Sequence, residues 1–462
     1  MNSDIRHIHF LGICGTAMGA VAVAMKERGF IVTGSDSGVF PPMSDFLQQK
    51  GITITGGYQA SNVPDRVDLV VVGNVISRGN PELEEVLNRR LSYQSLPEVL
   101  RHFFLGGRRN LVVAGTHGKT TTASLLTHIL RVGKKDPAWM IGGIAEDLGQ
   151  GAKLHDSKWV VIEGDEYDTC FFDKGPKFAH YLPELVILNA VELDQMDIYP
   201  DLAAVKRAFG LLLRVLPENG VLLYNADCAN TRDVAASSRT KAKHAIGLGP
   251  DATVRAEHVE FSPQGSQFSL FNTRFALPMV GEIYVRNAAM AIAAARHAGV
   301  ELAAIESAVS TFQGVLRRQV LRGERDGVKI VEDFGKHPTN IRETLRALAH
   351  RFPGARVWAA VDLRANTMCR AESHQPLHEA LRFAHGAMLG PVDRPERFKA
   401  GEAIDPPRMA RELTAEGHPV FAEPGVPEIV TRVREVTRRG DVVAVFSSGG
   451  FGGIYEKLLA VS

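Results

Sequence analysis

The chain has 462 residues, 45% hydrophobic and 23% charged, and carries a formal net charge of +1. Its length exceeds what one core supports and predicts roughly three domains of about 100–200 residues each. Near-neutral charge leaves no bulk footprint for nucleic acid or an anionic membrane. No run of about 18 apolar residues exists to span a bilayer. Four scattered cysteines without C-x-x-C spacing indicate neither a disulfide framework nor a zinc site, so the chain reads as cytoplasmic, in a reducing compartment.

Three strand–turn–helix patterns open three α/β domains with mainly parallel sheets, expected over 1–106, 107–315 and 316–462. In the first, a strand over 8–11 runs into Gly12, Gly15 and Gly19 and an alanine-rich helix. A second strand, 31–33, ends at Gly34-Ser35-Asp36, and apolar runs at 69–72 and around Leu96 complete the unit. The glycine spacing departs from G-x-G-x-x-G. With Asp36 closing the next strand it still suits phosphate and ribose binding, as a Rossmann-like turn does. Taken alone, the turn serves close strand–helix packing equally well, and a nicotinamide dehydrogenase is the rival reading.

The second domain carries the strongest signal, Val112-Val113-Ala114-Gly115-Thr116-His117-Gly118-Lys119-Thr120-Thr121-Thr122. An apolar strand ends in a glycine-bracketed turn, and a lysine and threonines open a helix. Such a turn lets backbone N–H groups approach phosphate oxygens, and the helix N-terminus adds partial positive charge. Lys119 can reach the outer phosphates of ATP, and the Thr120 hydroxyl can sit on Mg2+. A strict P-loop would need glycine at Val113. Past a second strand, 159–163, comes the acidic run Glu163-Gly164-Asp165-Glu166-Tyr167-Asp168, where ligands of open α/β sheets bind. A third strand, 185–189, delivers Glu192, Asp194, Gln195 and Asp197 in the same way, and 221–225 extends the sheet. Antiparallel segments between 254 and 275 and an alanine-rich helix over 285–298 follow.

The third domain is expected from about Leu316, with strands at 328–331, 357–361 and 442–446. The first of these leads into Glu332-Asp333-Phe334-Gly335-Lys336-His337-Pro338. Pro338 disfavours helix at His337 and can open the next helix. Lys336 and His337 could offer cationic or donor groups to a transferring phosphoryl group. Arg317-Arg318, just upstream, reads equally as a phosphate clamp or a solvated linker.

Several separate segments together resemble the Mur ligases, ATP-dependent amide-forming enzymes of peptidoglycan synthesis. The carriers are His7-Ile8-His9-Phe10-Leu11-Gly12-Ile13-Cys14-Gly15-Thr16, Gly34-Ser35-Asp36 with Pro41-Pro42-Met43-Ser44, Arg78-Gly79-Asn80-Pro81-Glu82, the Gly115–Thr121 loop and Gly164-Asp165-Glu166-Tyr167-Asp168. Phe171-Phe172-Asp173-Lys174, Arg364-Ala365-Asn366-Thr367-Met368 and Gly449-Gly450-Phe451-Gly452-Gly453-Ile454 point to the branch of the family that recycles murein tripeptide. The resemblance spans essentially the whole chain. It implies a UDP-sugar-binding Rossmann-like first domain, a central P-loop ATPase-like domain and a Rossmann-like third domain that closes over the active site. The implied reaction joins L-alanyl-γ-D-glutamyl-meso-diaminopimelate to UDP-N-acetylmuramate through an acyl phosphate. Gly12, Cys14, Gly15, Thr16 and Asp36 would hold the UDP-sugar. Gly115, Thr116, His117, Gly118, Lys119, Thr120, Thr121 and Asn287 would bind ATP, with Arg318 and Asp333 completing that site. Thr120 and Glu166, with Gln195, would bind Mg2+. Lys119, Glu166, Arg318, Lys336 and His337 would serve catalysis, and Arg364, Asn366 and Thr367 would face the tripeptide.

Departures from the family pattern predict weakened activity. Gln195 stands where a histidine is expected at a second metal, and Ile283 and Tyr284 replace a histidine and an asparagine near adenine. Val320 replaces a carboxylate after the arginine pair, Lys336 the first histidine of His-His-Pro, Ser448 an asparagine and Ala365 a serine. Two alternatives stay open: a ligase adding free L-alanine to UDP-N-acetylmuramate, and a catalytically silent nucleotide-sugar-binding relative.

Overall fold

The computed structural model describes residues 5–41 and 43–460, so Pro42 of the Pro41–Ser44 motif lies outside the described residues. The chain packs as two compact units, one of 1–192, 203–254 and 290–308, the other of 193–202, 255–289 and 309–462. The first unit holds a five-stranded sheet ordered Thr53–Gly56, Ile31–Asp36, His7–Leu11, Leu69–Val72, Tyr93–Ser95, with every pairing parallel. It also holds most of an eight-stranded sheet, in which Arg109–Ala114 lies between Pro183–Leu188 on one side and Trp159–Gly164 on the other, parallel to both. The strand Arg109–Ala114 is buried from Asn110 onward. Parallel strands covered on both faces read as continuous apolar runs, and that is why Val112-Val113-Ala114 was legible.

The strand Tyr93–Ser95 completes the five-stranded sheet beside Leu69–Val72. The run around Leu96 is a helix, Leu96–Leu100, and the strand stops at Ser95. Ser95 accepts from the Glu98 backbone N–H while the Glu98 side chain accepts from Ser95, a reciprocal cap that starts a helix there, aided by Pro97 in its first turn. The alanine-rich helix begins earlier than expected, at Glu282, and ends at His297.

The second unit contains a three-stranded antiparallel sheet, Glu257–Ser262, Gly265–Leu270 and Thr273–Leu277. Its six-stranded sheet is ordered Val320–Arg325, Val328–Asp333, Val442–Phe446, Val357–Val361, Gly386–Leu389, Val420–Ala422. Only the edge strand Val320–Arg325 is antiparallel, a hairpin partner of Val328–Asp333 that the sequence reading had not anticipated. Pro338 opens the helix Pro338–Arg351 as expected, with His337 as its cap.

Candidate active site

The carboxyl end of Arg109–Ala114 leads directly into the glycine turn. Gly115 has φ of 127°, and a Cβ there would lie 2.8 Å from the Asn189 Cβ, so the turn admits no side chain. Gly118, also left-handed, precedes the helix Lys119–Val132. The Thr116 hydroxyl donates to the Glu192 carbonyl at 3.1 Å and accepts from the Glu192 N–H at 2.9 Å. His117, buried, places Nε2 3.2 Å from a Glu192 carboxylate oxygen. These bonds pin the turn to the chain leaving the neighbouring strand, Pro183–Leu188.

On the other side, Trp159–Gly164 delivers the acidic run. Lys119 Nζ donates to the Gly115 carbonyl at 2.7 Å and to Glu166 at 2.9 Å. Burial by itself would lower the lysine's pKa, but Glu166, Asp165 and Glu163 outweigh it and hold the ammonium well above its ordinary value. The Thr120 hydroxyl donates to Glu163 at 2.9 Å, and Gly142 N–H donates to the same carboxylate at 2.7 Å. Burial, and then Asp165, push the Glu163 carboxyl above the usual range. Glu163 opens the acidic run read from the sequence, which assigns the metal role to Glu166 instead. Its signal is a lone carboxylate in an otherwise apolar strand, Trp159-Val160-Val161-Ile162-Glu163-Gly164. Glu166, expected on the metal, sits here on Lys119. Three carboxylates around one lysine and one hydroxyl form a hard-oxygen donor set with negative charge in excess, which suits Mg2+.

The expected UDP-sugar residues cluster at the first glycine turn. Gly12 N–H donates to the Ser35 carbonyl at 2.8 Å, Cys14 N–H donates to the Asp36 carboxylate at 2.9 Å, and Gly15 caps the helix Thr16–Glu27. Asp36 also accepts from Gly38 N–H at 2.9 Å, so its carboxylate fastens the turn. Burial, and then Asp36, raise the Cys14 thiol's pKa.

The remaining predicted residues belong to the second unit. Asp333, at the end of its strand, is buried and accepts from Gln319 N–H at 3.1 Å and Gly335 N–H at 2.8 Å. Burial pushes its carboxyl up, against the pull of Arg318. Arg318 and Arg317 both lie 5.1 Å from the Phe334 ring. Arg317 is the structural member of the pair: it bonds Glu332 at 2.7 Å and the carbonyls of Ser447 and Gly449. The linker reading thus fails for Arg317, which is built into the sheet's carboxyl edge. Tyr284 and Asn287 are buried in the same unit, and burial, then Asp333, raise the tyrosine's pKa. His337 accepts from Thr339 N–H through Nδ1, and its Nε2 lies 3.2 Å from the Leu193 carbonyl.

A cavity of about 300 Å³ gathers Lys336, Arg364, Asn366 and Thr367 beside Asp194 and Gln195. Arg394, a residue missed from sequence, lines it too. The loops carrying the two arginines follow adjacent parallel strands, Val357–Val361 and Gly386–Leu389, and are joined by Asp393 N–H donating to the Leu363 carbonyl at 2.9 Å. Asp194 is engaged internally: it accepts from the Thr367 hydroxyl at 2.6 Å and lies 3.8 Å from Lys336 Nζ. Gln195, at φ 53°, turns its amide nitrogen to the same carboxylate at 3.4 Å. The cavity is therefore lined by more cations than anions and suits carboxylate groups.

Comparison with known proteins agrees with this geometry. The model of the Mur ligase family, catalytic domain, matches residues 7–107, that of the Mur ligase middle domain 113–295, and that of the Mur ligase, glutamate ligase domain 317–449. The chain is 39% identical over 458 residues to the UDP-N-acetylmuramate–L-alanyl-γ-D-glutamyl-meso-2,6-diaminoheptandioate ligase of Escherichia coli K12, covering 98% of this chain and 97% of that one. It is 33% identical to the UDP-N-acetylmuramate–L-alanine ligase of Bordetella avium, over 99% of both chains. The crystal structure of a murein peptide ligase from Psychrobacter arcticus superposes with a TM-score of 0.71 at 31% identity, covering 99% of this chain and 100% of that one. The chain belongs to the Mur ligase family and has its three-domain α/β fold. It is accordingly an ATP-dependent amide-forming ligase. No helix among the described residues is long and apolar enough to cross a membrane.

Proposed function

We propose that this ligase joins the L-alanyl-γ-D-glutamyl-meso-diaminopimelate tripeptide to UDP-N-acetylmuramate, the reaction named for its E. coli relative, and so serves peptidoglycan recycling. The observation that carries the chemistry is Lys119, held between the Gly115 carbonyl and Glu166 at the head of the glycine turn. A carboxylate is a poor acyl donor until a leaving group is supplied. Its oxygen therefore attacks the γ-phosphorus of ATP, ADP departs, and an acyl phosphate remains. The tripeptide amine then attacks the acyl carbon, phosphate leaves with the C–O bond electrons, the nitrogen loses a proton, and an amide is formed. Positioning and charge neutralisation supply most of the rate in such transfers.

In this reading the turn Gly115–Thr121 cradles the phosphates, with Asn287, Arg318 and Asp333 contributing to the ATP site. Thr120, Glu163 and Glu166 would hold Mg2+, which would neutralise phosphate charge. Gly12, Cys14, Gly15, Thr16 and Asp36 mark the UDP-sugar end, and Arg364, Asn366 and Thr367 the tripeptide carboxylates. The working domains are 1–106, 107–315 and 316–462. All four cysteines are unbridged, in keeping with a cytoplasmic enzyme. The cationic cavity favours an acceptor with several carboxylates over free L-alanine. Amide formation measured with tripeptide and with L-alanine as competing amines tests the proposal: tripeptide is preferred, and turnover with L-alanine alone refutes it. Phosphate release that requires ATP, UDP-N-acetylmuramate and tripeptide together distinguishes an active ligase from a silent binding relative.

A further inference from the structure

The six-stranded sheet of the second unit has a second concavity at its amino-terminal end. The strand Val328–Asp333 begins there and ends at the Asp333 cluster, about 17 Å away at roughly 3.3 Å per residue. The concavity has a volume of about 190 Å³. Its floor is apolar, made by Val328, Ile330, Val433 and Leu458, all buried. Its rim carries Arg325, Arg434, Arg438 and Arg439 against a single carboxylate, Asp326.

Among the described residues, the charge on that rim is only partly cancelled. Arg325 is ion-paired to Asp326 at 3.2 Å, whereas Arg434 donates only to the neutral Lys457 carbonyl at 3.1 Å. Among the described residues, the guanidinium groups of Arg438 and Arg439 meet neither carboxylate nor carbonyl. The nearby Asp441 carboxylate is already committed, accepting from Arg356 at 2.6 Å and from the Arg438 backbone N–H at 2.9 Å. The site is also built on tied backbone. Gly440 N–H donates to the Gly327 carbonyl at 2.8 Å and Lys329 N–H to the Asp441 carbonyl at 3.0 Å. Gly327, at φ 79°, leaves room for the Arg439 stem, which a Cβ there would meet at 2.4 Å.

We infer that this concavity is a binding site, separate from the reaction centre, for a small organic phosphate with one ring-sized apolar body. Guanidinium forks pair with phosphate oxygens in bidentate fashion, and the uncancelled charges match a dianion. The volume matches one ring, since an apolar cavity of about 150 Å³ accepts benzene. The apolar floor then separates an organic phosphate from the inorganic ion.

Calorimetric titration of the full chain with phenyl phosphate, inorganic phosphate and phenol tests this. Phenyl phosphate is expected to bind about tenfold or more tighter than inorganic phosphate, because burying its ring adds hydrophobic free energy, and phenol is expected not to bind. The double substitution Arg438→Ser/Arg439→Ser should weaken phenyl phosphate by about tenfold or more while leaving the melting temperature unchanged, since both side chains are exposed. Lys119→Ala should leave it intact, which separates this site from the glycine turn. Equal affinity for inorganic phosphate, binding that survives the double substitution or disappears with Lys119→Ala, or no binding up to about 10 mM overturns the inference.

Discussion

Two regions of this molecule use the same architectural position for opposite electrostatics. At the carboxyl end of the strand Arg109–Ala114 and its neighbours, Glu163, Asp165 and Glu166 surround one lysine. At the carboxyl ends of Val357–Val361 and Gly386–Leu389, Arg364 and Arg394 join Lys336 around a cavity whose Asp194 is already engaged. Parallel sheets place loops at one edge, and the loop residues alone decide what that edge binds. The acidic edge suits a divalent cation with polyphosphate, and the basic edge suits carboxylates. A ligase that activates one acid and captures a multiply charged amine needs both.

The comparison can be broken most sharply at Lys119. Lys119→Ala is expected to lower turnover by about a thousandfold or more, because it removes the ammonium bonded to the Gly115 carbonyl at 2.7 Å, and phosphoryl transfer depends on such charge. Phosphate-release assays would read it, and unchanged kinetics would remove the turn from the reaction. On the basic side, Arg364→Ala is expected to raise KM for tripeptide by about ten- to a hundredfold, the loss of one or two charge-assisted hydrogen bonds. KM for ATP should stay near its original value. An equal rise in both would place Arg364 outside the peptide site.

The acidic edge makes a pH prediction of definite sign. Glu163 has a carboxyl raised above its ordinary value of 4.5, so lowering pH through its folded value protonates it and removes a cation ligand. Mg2+ binds the deprotonated form, so the rise in melting temperature caused by Mg2+ should grow as pH increases through that range. Glu163→Gln should flatten the dependence, and a Mg2+ effect that is constant with pH would exclude Glu163 as a ligand. The smallest effect is expected at Gln195. Gln195→His should lower the Mg2+ concentration for half-maximal activity by about two- to fivefold, a modest gain because Asp194 is already engaged by Lys336 and Thr367. An unaltered Mg2+ requirement would mean that position 195 does not reach the ion.

Much of this was legible in the chain itself. Strands buried on both faces appear as runs such as Leu185-Val186-Ile187-Leu188. Glycine turns announce close backbone approach, and Pro338 marks a helix start. These are local signals, set by sterics and by the hydrophobic period, so they survive without neighbours. Leu96 shows their limit, since an apolar residue directly after a strand belongs to a helix once Ser95 and Glu98 cap each other. What tertiary structure alone decided was pairing. Glu163 rather than Glu166 receives the Thr120 hydroxyl, Arg317 rather than Arg318 is sewn into the sheet edge, and Arg394 joins Arg364 across 30 positions of sequence because their strands are adjacent. The physical reason is that a side chain's partner is set by strand order and loop path. Those are properties of the packed sheet, and no spacing along the chain encodes them.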